Sequence, residues 1–124
     1  METKLRILAV DDSPQIRKVM QRFLKNHDLV CCSNGSDALA LLKDDDGFDV
    51  IISDMDMPVM DGASLYHALH EHDPMLASRV MFVTGGGASR EQQRFLQTTT
   101  RQVISKPFRV DDLNYAIADI VECS

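Results

Sequence analysis

The chain has 124 residues, of which 44% are hydrophobic and 26% are charged, a balance typical of a folded globular protein that excludes a disordered tail or a collagen-like fibre. Thirteen Lys and Arg against 19 Asp and Glu give a net charge of −6, which argues against a surface that binds duplex DNA through its phosphates. The length suits a single domain over residues 1–124 with one core, at about residues 6–121.

The sequence contains no segment that is apolar over the ~20 residues that a membrane helix requires, and no signal-peptide core. Its first apolar run, residues 7–10, is ended by Asp11 and Asp12. We therefore expect a cytoplasmic protein. The cysteines fit neither a disulfide framework nor a metal-site spacing, and packing roles are expected for Cys31, Cys32 and Cys123.

Five short apolar runs indicate β-strands, and segments with a helical period separate them. The runs are residues 7–10, 29–32, 50–53, 80–83 and 103–104. Continuous apolar runs of this length are typical of parallel strands that helices bury on both faces. The alternation predicts an α/β fold of the (βα)5 type with an open, doubly wound parallel sheet.

Apolar residues spaced three and four positions apart predict five helices. Ser13 and Pro14 are a typical N-cap and first residue for the first of them. The fourth, at residues 89–97, has a capping-box pattern but few apolar anchors, and we expect it to be mobile. The other apolar stripes lie at residues 16–24, 38–42, 65–69 and 113–121.

Polar residues follow four of the predicted strands, at the sheet edge where ligands bind in doubly wound folds. Asp11 and Asp12 follow the first strand, Asp54 the third and Lys106 the fifth, while Thr84 ends the fourth. Three converging carboxylates repel one another, by about 1 kcal/mol per pair at 4 Å in water, so a cation is expected among them.

The chemistry of this set favours a hard cation and a phosphoryl group. Oxygen ligands without His or Cys suit Mg²⁺, with Mn²⁺ as an alternative. A lysine and a hydroxyl beside the metal suit phosphoryl transfer, which depends mainly on positioning and charge neutralisation. One of the carboxylates could then act as the nucleophile and form an aspartyl phosphate.

Four motifs occur in a fixed order along nearly the whole chain. They are Asp11-Asp12, the segment DMDMPVMDG at 54–62, Thr84-Gly85 and Lys106-Pro107-Phe108. Together they resemble the receiver domain of bacterial two-component response regulators, including the chemotaxis regulators. The resemblance implies a flavodoxin-like fold with sheet order 2-1-3-4-5 and a signalling role. Such a domain is not an enzyme acting on an outside substrate; it catalyses only its own phosphorylation and dephosphorylation.

The resemblance also implies individual roles at the acidic site. Asp54 would be the phosphoacceptor and take a phosphoryl group from a phosphohistidine on a sensor histidine kinase or a histidine phosphotransfer protein. Mg²⁺ would be bound by Asp12 directly, by Asp11 mostly through water, by Asp54, and by the backbone carbonyl of Asp56.

Three further residues complete the implied phosphoryl site. Thr84 would donate a hydrogen bond to one phosphoryl oxygen, and Lys106 would pair with another. Gly85 would leave room for the group, and the resemblance predicts a cis peptide bond between Lys106 and Pro107.

Two features depart from the family pattern. Val103 stands where the family often has an aromatic residue whose rotation accompanies movement of the threonine. Gly85, Gly86 and Gly87 loosen the following loop, because glycine has the greatest backbone freedom. The hypothesis that follows is that signalling works through ordering of residues 85–97.

The resemblance indicates a partner surface formed by the fourth helix, the fifth strand and the fifth helix, through which a downstream protein would bind. Its residues here are polar enough to predict a monomer or a weak dimer; they are Arg90, Gln93, Arg94, Val103 and Tyr115. We expect no output domain in this chain. The segment 103–107 also resembles receivers of hybrid histidine kinases, so the chain could be a module of a larger protein.

A basic stripe on the first helix has two interpretations, a solvated surface or a docking site for an acidic kinase or phosphotransfer helix. It comprises Arg17, Lys18, Arg22 and Lys25. For His67, His70 and His72 a solvated helix end is favoured over a metal site.

Three alternatives remain at the level of the sequence. A haloacid-dehalogenase-like phosphatase shares the aspartyl-phosphate chemistry, but its D-x-D motif should follow the first strand, whereas Asp54 and Asp56 follow the third. A flavodoxin-like cofactor carrier lacks support because carboxylates would repel a flavin phosphate. A pseudo-receiver that only docks partners is disfavoured by the complete set of site residues.

Overall fold

The computed structural model describes residues 4–123 and contains a five-stranded parallel sheet. The strands are β1 (Arg6–Val10), β2 (Asp28–Cys32), β3 (Val50–Asp54), β4 (Val80–Thr84) and β5 (Val103–Ser105). Their order is β2-β1-β3-β4-β5. β2 is added on one side of β1 and the later strands on the other, so the strand order switches between β1 and β3. The predicted doubly wound fold and its strand order are confirmed.

Each strand extends one residue beyond its apolar run. β1 and β2 gain Arg6 and Asp28 at their starts, where the two residues pair in register. β3, β4 and β5 gain Asp54, Thr84 and Ser105 at their ends. Backbone pairing continues past the last apolar side chain because a ladder needs hydrogen-bonding partners and not hydrophobicity.

The described residues 4–123 also form six helices, one more than predicted. They are α1 (Pro14–Phe23), α2 (Gly35–Asp44), α3 (Gly62–His72), α4 (Pro74–Ala77), α5 (Arg90–Thr98) and α6 (Val110–Cys123). The additional helix, α4, has only four residues, too few to show a hydrophobic period. Asp73 caps it by accepting hydrogen bonds from the backbone of Met75 and Leu76.

The core lies in two layers, one on each face of the sheet. One layer contains Leu8, Ile51 and Phe82 and packs against α2 and α3. The other contains Ile7, Ile52 and Met81 and packs against α1 and α6. Alternate residues of the same strands feed opposite layers, as the continuous apolar runs predict.

Cys31 and Cys32 divide between these layers and are both half-buried and free. Burial, followed by the charges of Asp37 and Cys31, raises the pKa of the Cys32 thiol. The side chain of Cys123 lies outside the described part of the structure. Among residues 4–123, no helix combines the length and the apolar character that crossing a bilayer would demand.

Candidate acidic site at the carboxyl edge of the sheet

The predicted site residues lie at the carboxyl ends of the strands. Asp11 and Asp12 follow β1, Asp54 is the last residue of β3, and Lys106 comes directly after β5. Val10 pairs with Ser53 across the sheet, one residue before Asp11 and Asp54 on their respective strands. The register of β1 and β3 therefore brings the two carboxylates to the same level.

Three carboxylates meet at this edge. Asp11, Asp12 and Asp54 can each offer one oxygen such that all three oxygens lie within 4.8 Å of one another. Asp11 is 0% exposed and Asp54 is 3% exposed, while Asp12 is exposed. The cluster therefore has two buried members and one that faces solvent.

Lys106 supplies the positive charge between the two buried carboxylates. Its Nζ lies 3.2 Å from Oδ2 of Asp11 and 3.3 Å from Oδ1 of Asp54. Burial acts to lower the pKa of Lys106, but the charges of Asp54 and Asp11 outweigh it, and the pKa is raised. The ammonium group therefore stays charged and bridges the pair.

Asp54 has a perturbed pKa because the surroundings disfavour its charged form. Burial, and then the charge of Asp11, raise the pKa of Asp54 to about 6, against the opposing effects of Lys106 and of the backbone amide of Asp56. One ammonium therefore does not fully compensate the buried negative charge.

The residues present fit a divalent cation. Oδ1 of Asp11 accepts a hydrogen bond from the backbone of Ser13 at 2.9 Å. Its Oδ2 is buried and accepts no hydrogen bond of good geometry from any residue within 4–123, with only the Lys106 ammonium as an ion-pair partner. A buried carboxylate oxygen with spare acceptor capacity, beside two further carboxylates, is the donor set that Mg²⁺ or Mn²⁺ prefers.

Thr84 is the last residue of β4 and lies at the same edge. It donates a hydrogen bond to the backbone carbonyl of Gly85 at 3.2 Å. A Cβ on Gly85 would lie 3.9 Å from Cδ of Lys106, so Gly85 adjoins the site. The predicted cis peptide bond between Lys106 and Pro107 is confirmed.

The loop from β3 to α3 is held by buried methionines. Met55 is fully buried and Met57 nearly so, and Asp56 between them is exposed. Val59 is fully exposed with φ of 70°, a strained conformation for a β-branched residue. The anchored methionines therefore fix the loop despite this strain, and the Asp56 side chain points outwards.

One basic residue that was assigned to a surface stripe belongs instead to the site. Nη1 of Arg17 donates a hydrogen bond of 2.7 Å to the backbone carbonyl of Asp11, and Arg17 is half-buried. Lys18, Arg22 and Lys25 are exposed as predicted. The exposed stripe therefore has three members. The only sequence signal for the contact between Arg17 and Asp11 is that the two residues lie six positions apart across the N-terminus of α1.

The histidines at the end of α3 are exposed but not isolated. The ring of His67 lies 5.8 Å from that of Tyr66 and 5.5 Å from that of Phe95, both in edge-on geometry. His70 also contacts Tyr66, at 6.1 Å. The expectation of a simple solvated helix end is thus incomplete, because the His67 ring packs against Phe95 of α5.

A doubly wound sheet with an acidic, lysine-bridged cluster at its carboxyl edge defines a class of protein suited to cation and phosphoryl binding. The sequence model of the response regulator receiver domain matches residues 7–118. The chain therefore belongs to the response regulator receiver domain family. The phosphatase and flavin-carrier alternatives are set aside.

Relatives in plants and bacteria place the chain within two-component signalling. It is 33% identical over 113 residues to the two-component response regulator ARR11 of Arabidopsis thaliana, covering 88% of this chain and 21% of that protein. It is 32% identical over 118 residues to the sensor histidine kinase RcsC of Salmonella typhi, covering 94% of this chain and 12% of that protein. The chain thus spans about a fifth or less of these relatives.

Solved structures support the fold. The receiver domain of sensor histidine kinase PA1611 from Pseudomonas aeruginosa superposes with a TM-score of 0.80 at 20% identity, covering 97% of this chain and 99% of that one. That structure has a magnesium ion coordinated in its active site cleft.

Proposed function

We propose that this receiver domain accepts a phosphoryl group on Asp54 in a Mg²⁺-dependent reaction and switches partner binding in response. The observation that carries the proposal is the buried Asp54 carboxylate, ion-paired to Lys106 at 3.3 Å and clustered with Asp11 and Asp12. A buried carboxylate with an unbalanced charge at an open sheet edge is suited to act as a nucleophile.

In the proposed step an oxygen of Asp54 attacks the phosphorus of a phosphohistidine. The new O–P bond forms as the N–P bond breaks, and the departing imidazole keeps the electron pair and takes a proton from water. Lys106 neutralises charge on the transferred group, and Thr84 turns its hydroxyl from Gly85 to donate to a phosphoryl oxygen. Asp11, Asp12, Asp54 and the carbonyl of Asp56 would hold Mg²⁺, which supplies further neutralisation of phosphoryl charge.

The magnesium site of the PA1611 receiver supports Mg²⁺ as the cation. The buried Asp11 oxygen without a hydrogen bond supports it independently. Mn²⁺ satisfies the same oxygen ligands and is an expected substitute.

The test is intact-mass analysis after incubation with Mg²⁺ and a small phosphoryl donor, either acetyl phosphate or phosphoramidate. We expect one phosphoryl adduct on the wild type, and none on Asp54→Asn or without the metal. The adduct should be stable in acid and labile in base, as acyl phosphates are. An adduct of equal yield on Asp54→Asn, or none on the wild type despite measured Mg²⁺ binding, would contradict the proposal.

The partners that we propose are a sensor histidine kinase or a histidine phosphotransfer protein as donor, and a downstream protein as target. The similarity to RcsC, itself a sensor histidine kinase, supports the first. The exposed stripe of Lys18, Arg22 and Lys25 supports docking to an acidic donor helix, because complementary charge raises the association rate.

Arg22→Glu tests the docking stripe. We expect phosphotransfer from a phosphohistidine-bearing donor protein to slow by about tenfold at low salt, with the acetyl phosphate reaction unchanged. Lys43→Glu makes the same change of charge on the exposed surface of α2 and serves as the control. Equal slowing in the two variants would mean that the effect comes from the net charge of the protein, and it would contradict docking at the stripe.

A further inference from the structure

Helix α5 is held to the protein by few contacts. None of its residues is fully buried. Only Phe95 and Leu96 pack against the core, and both are partly exposed. The segment that precedes it contains Gly85, Gly86 and Gly87, and a Cβ on Gly86 would meet no atom within 4 Å. A helix with so little buried surface can shift at small energetic cost.

One hydrogen bond links α5 to the loop that follows the phosphoacceptor. Nε2 of Gln92 donates to Oδ2 of Asp61 at 3.1 Å. Within residues 4–123 it is the only side-chain hydrogen bond from α5 to another helix or its cap. The same glutamine accepts from the backbone of Ser89 at 2.7 Å, and so closes the capping box of α5.

Asp61 is the N-cap of α3, and the next residue, Gly62, lies against the end of β3. Its Oδ1 caps α3 by accepting from the backbone of Ser64 at 2.8 Å, and the next residue, Gly62, donates to the carbonyl of Met55 at 3.0 Å. A Cβ on Gly62 would lie 2.7 Å from the carbonyl oxygen of Asp54, which leaves no space between them. The first turn of α3 is therefore packed directly against the Asp54 backbone.

An aromatic contact reinforces the same connection. The ring of Phe95 in α5 lies 5.3 Å from Phe82, 5.5 Å from His67 and 5.9 Å from Tyr66, in each case nearly edge-on. Phe82 also lines the space beside Gly62. The start of α3 and the buried side of α5 thus share one packed cluster.

We propose that the hydrogen bond between Asp61 and Gln92 couples the phosphorylation state of Asp54 to the position of α5. This inference rests on the proposed function at Asp54. Three consecutive glycines transmit force poorly from Thr84 to α5, and residue 103 is valine, which has no aromatic ring to rotate. The route through Gly62, Asp61 and Gln92 is short, and each of its links is a close contact.

Two substitutions separate coupling from simple stabilisation of the helix. Gln92→Glu keeps an acceptor for Ser89 and hence the capping box, but it removes the donor to Asp61 and places two carboxylates together. Adding Asp61→Asn reverses the polarity of the bond, because the new amide can donate to the new carboxylate and still cap Ser64. The double variant is therefore the matched control.

The experiment is amide hydrogen exchange over residues 88–98 before and after phosphorylation with acetyl phosphate and Mg²⁺, at a phosphorylation level fixed by intact mass. We expect phosphorylation to change the exchange rates in the wild type, and Gln92→Glu to reduce that change by about fivefold, the factor for one ordinary hydrogen bond. The double variant should recover most of it.

The outcomes distinguish this inference from the function on which it rests. A wild type that gains no phosphoryl group contradicts the proposed function and is recognised by mass alone. If Gln92→Glu becomes phosphorylated and shows the full wild-type change in exchange, the bond is structural only and the coupling is disproved. Failure of the double variant to recover the change would likewise overturn the route through Asp61.

Discussion

Asp11 is the residue whose environment is least compatible with a metal-free site. It is fully buried, one oxygen accepts from Ser13, and the other has only the shared ammonium of Lys106 nearby. Asp12 adds a third negative charge within 4.8 Å. The acidic cluster thus stores repulsion that a divalent cation would relieve.

Asp12→Asn removes the exposed member of this cluster. We expect the metal-free protein to become more stable by about 1 kcal/mol in urea unfolding, because one repelling charge is lost, and Mg²⁺ to bind more weakly. Asp46→Asn is the control, because it removes an exposed carboxylate that is not among the three of the cluster. Lower metal-free stability of Asp12→Asn would argue against the repulsion.

Asp54 makes the stability of the metal-free protein depend on pH. Because its pKa is raised to about 6 in the folded state, the folded protein binds this proton more tightly than the unfolded chain, whose pKa is near 4. Stability from this group is fully present well below pH 4 and is lost as the pH rises through 6, by about 3 kcal/mol in total.

The measurement is the free energy of unfolding between those pH values, in chelator, for the wild type and Asp54→Asn. The difference between the two proteins isolates Asp54 from the other carboxylates, such as Asp61, whose pKa is lowered by hydrogen bonds from Ser64 and Gln92 that outweigh its burial. Parallel pH profiles for the two proteins would show that the Asp54 carboxyl is not perturbed.

For individual residues, the sequence identified which side chains form the site but not how they contact one another. Strand ends and motif order were enough to bring Asp11, Asp12, Asp54 and Lys106 to one edge. The burial of Asp11 depends on the β1–β3 register, which only the folded sheet fixes. The bond between Asp61 and Gln92 joins residues 31 positions apart, and no local pattern relates them.

Among the secondary-structure elements, predictions succeeded where the pattern was long. The helix with five apolar residues in its stripe, α1, has its N-cap at Ser13 as expected. The four-residue α4 was missed, although Asp73 and Pro74 carry the cap signals, because one turn contains no period to detect. Each predicted strand was one residue short, at its start in β1 and β2 and at its end in β3, β4 and β5, because polar residues can still pair in a ladder.

Replacing Gly62 in a helix and Gly86 in a loop by alanine should change the stability of the protein in opposite directions. In Gly62→Ala the new Cβ would lie 2.7 Å from the Asp54 carbonyl and 3.0 Å from Cα of Met55, so we expect destabilisation of about 1–3 kcal/mol. In Gly86→Ala the Cβ meets nothing within 4 Å, so reduced freedom of the unfolded chain should stabilise by about 0.4–1 kcal/mol. Urea unfolding of both variants measures the contrast, and equal effects would contradict the close contact at Gly62.

For the whole molecule, binding of Mg²⁺ should raise the stability of the fold. A ligand at one hundred times its dissociation constant adds about 2.7 kcal/mol when only the folded state binds it. We expect the urea midpoint to rise with the logarithm of Mg²⁺ concentration, at constant slope of the transition, and to return on chelation. An unchanged midpoint for the wild type would show that the acidic cluster does not bind the cation under these conditions.

The absence of any fully buried residue in α5 has a consequence for how such a protein can diversify. Apart from Phe95 and Leu96, which pack against one core layer, substitutions on this helix leave the core and the acidic cluster untouched, so the fold places few constraints on its outward face. The proposed phosphoryl chemistry and the proposed choice of partner therefore depend on different residues of this domain. Substitutions on the exposed face of α5 can therefore change which partner such a domain binds without impairing its folding.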